Sequence, residues 1–147
     1  MKLENEFTVN TSIDEAWKAM NDLERVTPCL PGAQLTAEVG DEYEGTMTVK
    51  MGPVTQKYNG TVKIQDADES SHRAVIRADG KDARGQGTAS ATITSTLNDD
   101  GNGSVHVQVE TDMQLTGKVA QFGRGMHKDV ASKIMGRFAD CLERELL

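Results

Sequence analysis

Apolar and polar residues alternate along most of the chain, which is the two-residue period of half-buried β-strands. The first alternating segment runs from Leu3 to Val9. Ser12 then provides a helix cap ahead of two acidic residues, and Pro28 disfavours helical conformation in the residue before it. The pattern therefore predicts one strand followed by two short helices that end near Thr27.

Further alternating segments follow from Gln34 to Leu115, and turn signals separate them. The turns are predicted at Gly52–Pro53, Asp66–Ser71, Gly80–Gly87 and Asn98–Gly103. Six consecutive strands joined in this way predict an antiparallel meander, which brings the expected total to seven strands.

The period changes after Gly117, where apolar residues begin to recur at intervals of three and four. The stripe consists of Val119, Phe122, Met126, Val130, Ile134, Phe138, Leu142 and Leu146. It predicts a helix of roughly 28 residues, about 42 Å long, and its unbroken run to Leu147 predicts that the sequence ends inside that helix. Gly123 and Gly125 near its start indicate either a hinge or a frayed first turn.

This order of elements predicts an α+β fold in a single domain over residues 1–147, as a monomer. A long helix with one broad apolar face needs a concave partner, which a strongly curved antiparallel sheet provides. Gly45, Gly60 and Gly87 lie inside strands, where a sheet can bend.

The side chains that the alternation turns inward are small or flexible. Alanines occur at positions 74, 78, 89 and 91, and methionines at 47, 51, 113, 126 and 135. Methionine suits surfaces that adapt to a guest, but it also fills irregular gaps in ordinary cores. Both an apolar cavity and a filled core remain open on this evidence.

Charge and composition exclude several classes of protein. The chain of 147 residues has 16 basic and 23 acidic side chains, a formal net charge of −7. That balance argues against nucleic-acid binding and against purely electrostatic docking on an anionic membrane. No apolar run is long enough to span a bilayer, and the N-terminus lacks the apolar core of a signal peptide.

The two cysteines, Cys29 and Cys141, are far apart and have no metal or redox spacing. We therefore expect reduced, structural cysteines and a cytoplasmic protein. The three histidines also lack ligand spacing, so no metal site is expected. Gly80–Gly87 joins two strands, whereas a dinucleotide-binding loop leads from a strand into a helix.

A few polar residues are expected on the inward faces: Asn5, Tyr43, Gln56, Tyr58 and Ser95. A buried amide needs a partner, so Asn5 and Gln56 are expected to bond each other, water or the polar head of a ligand. No acidic residue or histidine is expected to point inward. That expectation disfavours catalysis and favours a carrier.

Several short motifs resemble those of the CoxG family, whose members are accessory subunits of carbon monoxide dehydrogenase. They are Cys29-Leu30-Pro31-Gly32-Ala33, Lys50-Met51-Gly52-Pro53-Val54, Tyr58-Asn59-Gly60, and Leu115-Thr116-Gly117-Lys118 ahead of Phe122-Gly123. The order of elements is similar over nearly the whole chain. The family belongs to the START-like, or Bet v 1-like, helix-grip superfamily (SRPBCC).

The resemblance implies a seven-stranded sheet that grips a C-terminal helix around an apolar cavity. It also implies an accessory role beside a molybdenum-containing carbon monoxide dehydrogenase, or a related molybdenum hydroxylase, in the bacterial cytoplasm. Family members are linked to recruiting that enzyme to the membrane. Many carry an extension beyond the helix that the present sequence does not include.

Three functions follow as hypotheses. The first is a non-enzymatic carrier, with no covalent cofactor, that presents a respiratory quinone such as menaquinone to the enzyme at the inner face of the membrane. The second is an enzyme acting on a hydrophobic small molecule, as for the cyclases, aromatases and hydrolases of the superfamily. The third is an assembly factor with a vestigial cavity.

The ligand entrance is expected where glycine and proline cluster, between Pro28–Ala33, the Met51–Val54 turn and Val119–Met126. The residues expected to line it are Trp17, Met20, Leu30, Met51, Phe122 and Met126. Deeper ligand contacts are expected from Met47, Tyr58, Ala91, Met113, Val130 and Ile134.

Overall fold

The computed structural model describes residues 1–146 and contains one seven-stranded antiparallel sheet in the order β1-β7-β6-β5-β4-β3-β2. The strands are β1 (Lys2–Val9), β2 (Ala33–Val39), β3 (Glu42–Met51), β4 (Val54–Asp68), β5 (Arg73–Asp82), β6 (Thr88–Asp99) and β7 (Val105–Leu115). The sheet curves around a long C-terminal helix. The predicted α+β helix-grip architecture is thus confirmed.

Two short helices follow β1, as the cap signals predict: α1 (Ile13–Met20) and α2 (Leu23–Val26). The Ser12 hydroxyl accepts the Glu15 N–H at 3.2 Å, and Asp22 caps α2 by accepting the Arg25 N–H at 3.3 Å. Pro28 then lies in a single 3-10 turn, Thr27–Cys29, that ends the helical segment.

The C-terminal helix α3 (Arg124–Cys141) is shorter than the sequence pattern indicates. Residues Lys118–Gln121 form a separate 3-10 turn, and Gly123 is extended (φ −71°, ψ 164°), which delays the helix start. Its 18 residues span about 27 Å before a π-helical turn, Leu142–Leu146. The expectation that the sequence ends inside a helix concerns Leu147, which lies outside the described residues, and the side chain of Leu146 does too.

Three glycines explain how the sheet bends so strongly. Cross-strand pairing places Gly45, Gly60 and Gly80 side by side on β3, β4 and β5. A Cβ atom at Gly60 would lie 1.9 Å from the Asp79 carbonyl oxygen, and one at Gly45 would lie 2.7 Å from the Gln34 carbonyl oxygen. Only glycine permits the backbones of neighbouring strands to approach this closely, so this row of glycines determines where the sheet bends.

A disulfide joins Cys29 to Cys141, with an S–S distance of 2.01 Å. The expectation of reduced cysteines is therefore wrong. The fold brings the turn after α2 against the end of α3, so two residues 112 positions apart have Cα atoms 5.3 Å apart. Because disulfides persist mainly in oxidising environments, the cysteines no longer support a cytoplasmic location.

In the described part of the chain, none of the helices combines the length and the hydrophobicity that crossing a membrane requires.

Candidate functional site

The apolar core is divided into two clusters at opposite ends of α3. The large cluster surrounds Phe138 and Leu142 and includes Val9, Ala16, Trp17, Leu23, Val26, Cys29, Ala74, Leu97, Val105, Val107 and Val109. The small cluster consists of Met51, Tyr58 and Val119, with Val49, Val54, Ala89, Leu115, Phe122 and Val130 packed against it. The interior is therefore not one continuous apolar core.

A region of small side chains separates the clusters. The strand register aligns Ala78 of β5, Ala91 of β6 and Met113 of β7 in one row. The row on one side contains Ile76 and Ile93 of the large cluster, and the row on the other contains Ala89 and Leu115 of the small cluster. We call this region the central gap and include in it two further half-buried apolar residues that belong to neither cluster. They are Ile134 of α3 and, at the small-cluster margin, Met47, which pairs with Tyr58 across β3 and β4.

The backbone of α3 lies closer to the sides of the sheet than to its middle. This backbone approaches β1 and, less extensively, β3, which lie near the two sides of the sheet, while the central strands β4 to β7 approach it less. The side chains of Met47, Ala91, Met113 and Ile134 are half-buried and belong to neither cluster. Half-buried apolar side chains that join neither cluster therefore lie between α3 and the middle of the sheet.

The expected ligand contacts divide among three places. Trp17, Met20 and Leu30 lie in or against the large cluster, whereas Met51, Tyr58, Phe122 and Val130 form or contact the small one. Met47, Ala91, Met113 and Ile134 lie in the central gap. Met126 is 37% exposed.

The three expected entrance segments approach α3 at different places. Pro28–Ala33 meets the C-terminal end of α3 through the Cys29–Cys141 bond. The Met51–Val54 turn lies at the other end, where a Cβ at Gly52 would be 3.6 Å from Met126 Cε and 3.7 Å from Phe122 Cε1. The other end of the first segment approaches that turn, because the Gly32 carbonyl accepts the N–H of Thr48, three residues before Met51, at 2.9 Å. The position of the entrance stays a prediction.

Three buried polar side chains lie at the small-cluster end of α3. Gln56 and His127 are each 4% exposed and Tyr58 is 7% exposed. Within the described residues, Gln56 Oε1, the Tyr58 hydroxyl and His127 Nδ1 have no hydrogen-bond partner. Unsatisfied buried polar groups are rare in folded proteins, so these three side chains are able to offer hydrogen bonds to a ligand.

The burial of His127 contradicts the expectation that no histidine or acid points inward. Helical geometry gives the signal that would have found it: position 127 is about 20° from Phe138 around the axis, whereas position 126 is about 120° away. The stripe facing the sheet thus runs through His127, and Met126 lies at its margin. The four-residue spacing from Met126 to Phe138 is longer than the helical period of about 3.6 residues, so a stripe drawn through these positions drifts around the helix and misses His127.

Asp82 is the second inward polar residue that the sequence did not predict, and it is 7% exposed. It pairs with Tyr58 across β4 and β5, and its Oδ2 accepts the Arg84 and Gln86 N–H groups at 3.0 Å each. These bonds, led by that from Gln86, lower the pKa of the Asp82 carboxyl.

The Tyr58 phenol responds to the same surroundings in the opposite direction. Burial, and then the nearby Asp82 charge, raise the pKa of Tyr58 above its ordinary value. The hydroxyl therefore stays protonated at neutral pH and is available to donate a hydrogen bond.

The other inward polar residues are less available to a ligand. Asn5 Nδ2 donates to Ser132 Oγ at 3.5 Å, and the Tyr43 hydroxyl donates to Glu24 Oε1 at 3.2 Å. Ser95 is buried on β6 in the row that pairs with Ala74 and Val109. Asn5 and Gln56 do not bond each other, so that one of the three expected pairings is wrong. The Gln56 amide instead donates to the Gln86 carbonyl oxygen at 3.3 Å.

Solved structures with the same architecture define the class. A conserved protein from Geobacillus kaustophilus is 18% identical over 99% of this chain and 95% of its own, with a TM-score of 0.86. A START superfamily protein from Mycobacterium smegmatis is 14% identical over 99% and 96%, with a TM-score of 0.62. The Zhui aromatase/cyclase from Streptomyces sp. R1128 is 12% identical over 99% and 96%, also with a TM-score of 0.62.

The chain is thus a START-like helix-grip domain in its fold. No curated protein sequence matches it. Residues 6–147 match the CoxG subunit family of carbon monoxide dehydrogenase, and the chain belongs to that family.

Proposed function

We propose that this protein is a non-enzymatic accessory protein that binds an isoprenoid quinone such as menaquinone. In this role it links a molybdenum-containing carbon monoxide dehydrogenase, or a related molybdenum hydroxylase, to the inner face of the membrane. Membership of the CoxG family supports the enzyme partner. The helix-grip fold and the central gap support the ligand class.

The observation that carries the proposal is the central gap itself. Its lining combines alanine with the flexible side chains Met47 and Met113, all half-buried. Apolar side chains that are neither packed nor freely exposed gain when a guest removes them from water, by about 25 cal/mol per Å² before ordering costs. A long apolar tail provides such a guest.

The partner's chemistry explains why a carrier is needed. A dehydrogenase outside the bilayer that feeds a respiratory chain must pass electrons to a quinone dissolved in lipid. An apolar quinone does not cross water unaided, because its tail loses the same burial energy. A small protein with an apolar gap removes that barrier.

Native mass spectrometry of the purified protein, followed by solvent extraction, tests the ligand class. The expected result is a bound isoprenoid quinone that is released unchanged. A protein that purifies empty and takes up no quinone from vesicles contradicts the proposal and favours an assembly factor.

Ala91→Phe tests the position of the gap. A phenyl ring at this inward position is expected to lower uptake of a long-chain quinone at least tenfold while the protein still folds, because on this proposal it occupies the space that the ligand's tail fills. Uptake is measured by extraction from quinone-loaded vesicles. Ser90→Phe places the same ring on the outward face of β6 and should leave uptake unchanged.

Val130→Trp provides a second obstruction, from the helix side. If either variant folds and binds quinone like the native protein, the ligand does not occupy the central gap. If Ala91→Phe and Val130→Trp both unfold while Ser90→Phe folds, the region is packed core.

One observation favours a second candidate function. The buried histidine His127 and the unbonded Tyr58 hydroxyl remove the argument that the interior lacks catalytic groups, and an aromatase/cyclase shares the fold. An enzyme would convert its ligand, so recovery of a chemically altered ligand that depends on His127 would replace the carrier proposal.

A further inference from the structure

We propose that Gln56, Tyr58 and His127 form a headgroup site that prefers the hydroxyl groups of a quinol over the carbonyl groups of a quinone. The inference rests on the proposed function, since it assigns one end of the ligand in the central gap. Tyr58 belongs to the small cluster, against which Val130 of α3 packs. Gln56 lies two residues from Tyr58 on β4, and His127 lies one helical turn before Val130.

The orientation of the Gln56 amide is determined by its surroundings. Nε2 donates to the Gln86 carbonyl at 3.3 Å, and the same amide favours the ionised form of Asp82. Both neighbours are hydrogen-bond acceptors, so the NH2 group must face them. Oε1 is consequently the atom without a partner, and it can only accept a hydrogen bond.

Tyr58 supplies the complementary group. It lies two residues after Gln56 on the same face of β4, and its hydroxyl is buried without a partner in the described structure. A protonated phenol donates strongly to a carbonyl or hydroxyl oxygen and retains lone pairs to accept. The two β4 residues thus offer one obligatory acceptor and one donor.

His127 adds a third group from the helix. It lies one turn before Val130, and its Nδ1 atom is buried and unbonded within the described residues. An imidazole nitrogen donates or accepts according to the tautomer, so His127 suits either oxidation state of the headgroup. The preference must therefore come from Gln56.

The carbonyl oxygens of a quinone can accept a hydrogen bond from Tyr58, but they have no hydrogen to donate to Gln56 Oε1. A quinol hydroxyl can donate to Gln56 while the headgroup accepts from Tyr58. Leaving one buried acceptor unsatisfied corresponds to roughly a tenfold to hundredfold loss of affinity. We expect the quinol to bind more tightly than the quinone by that factor.

Three ligands with identical isoprenoid tails test the inference on the native protein. They are menaquinone, its quinol, and the dimethyl ether of the quinol, which cannot donate. The quinol is reduced beforehand and kept anaerobic without added reductant, so the disulfide is not disturbed. Calorimetry is expected to give a dissociation constant at least tenfold lower for the quinol than for the other two.

Variants locate the effect. Gln56→Met should abolish the preference for quinol and leave quinone affinity close to native, whereas Tyr58→Phe should weaken both ligands. Tyr43→Phe is the matched control, since the Tyr43 hydroxyl bonds Glu24, and it should change neither affinity.

Equal affinities of the native protein for all three ligands would overturn the headgroup site but leave the apolar gap in place. Binding of none of them would instead reject the proposed function together with this inference. Neither result depends on whether a variant folds.

Discussion

The two ends of α3 differ in how they are held. At its C-terminal end, Phe138 and Leu142 lie in the large cluster, Cys141 is bonded to Cys29, and Glu143 accepts the Asn10 N–H at 2.6 Å. At its N-terminal end, α3 begins after Gly123, whose lack of a side chain leaves the first turn without a capping group. The small cluster provides apolar support at that end.

The difference indicates that the N-terminal end of α3 moves more easily than its C-terminal end. A helix that is covalently anchored at one end and lightly packed at the other can move away from the sheet at its lightly packed end while the large cluster stays folded. Access to the central gap is then expected between the Met51–Val54 turn and the start of α3, where the side chains of Phe122 and Met126 lie over Gly52.

The largest expected effect comes from removing the covalent anchor. A bond closing a loop of this length is worth about 5 kcal/mol in the chain-entropy account. The double change Cys29→Ser and Cys141→Ser should therefore lower the free energy of unfolding by several kcal/mol, as measured by urea denaturation.

Dithiothreitol gives an independent route to the same state. Both cysteines line a surface pocket of about 290 Å³, although Cys29 itself is buried, so we expect a small reductant to reach the bond through this pocket. Reduced native protein should match the double variant. If reduction leaves stability unchanged, the disulfide does not anchor the helix.

Truncating one phenylalanine at each end should produce effects of unequal size. Phe138→Ala is expected to cost about 3–5 kcal/mol, because the ring is 7% exposed within the large cluster. Phe122→Ala should cost at most about half as much, since its ring is half-buried and packs against the small cluster. Urea midpoints at constant m-value provide the measurement, and equal losses would contradict the asymmetry.

The smallest expected effect is pH-dependent and belongs to the small-cluster end. The folded protein lowers the pKa of Asp82 below its ordinary value of 3.8, so the unfolded chain binds this proton more readily. The stabilisation is present at pH values above the ordinary pKa and is lost as pH falls through the lowered folded-state value.

Asp82→Asn should accordingly reduce the melting temperature at pH 7 more than at pH 3. Asp79→Asn serves as a control on the same strand, because Asp79 is exposed and bonds only Arg77 among the described residues. An equal reduction at both pH values for Asp82→Asn would show that the ionised carboxylate does not stabilise the β5–β6 turn.

Much of this fold was predictable because its signals are local. Alternation located the strands, Ser12 and Pro28 bounded the short helices, and Gly45 and Gly60 indicated the bend. Alanine at position 91 was correctly assigned to the inward face, because the side-chain period of a strand is two.

The errors occurred where distant segments meet. Nothing in the spacing of Cys29 and Cys141 shows that the helix returns to the turn after α2. The burial of Asp82 depends on β5 ending beside Tyr58, and that of His127 on the rotation of α3 about its axis. These are properties of tertiary packing, which a single-sequence pattern does not encode.

The disulfide also gives the molecule an unusual topology. It makes residues 29 to 141 a covalent ring that contains β2 to β7 and α3, while β1, α1 and α2 lie on a tail outside it. A single peptide-bond cleavage within the ring therefore releases no fragment until a reductant is added. A protein nicked in the exposed Asn98–Gly103 turn would keep its mass apart from one added water, and its two pieces would separate only under reducing conditions.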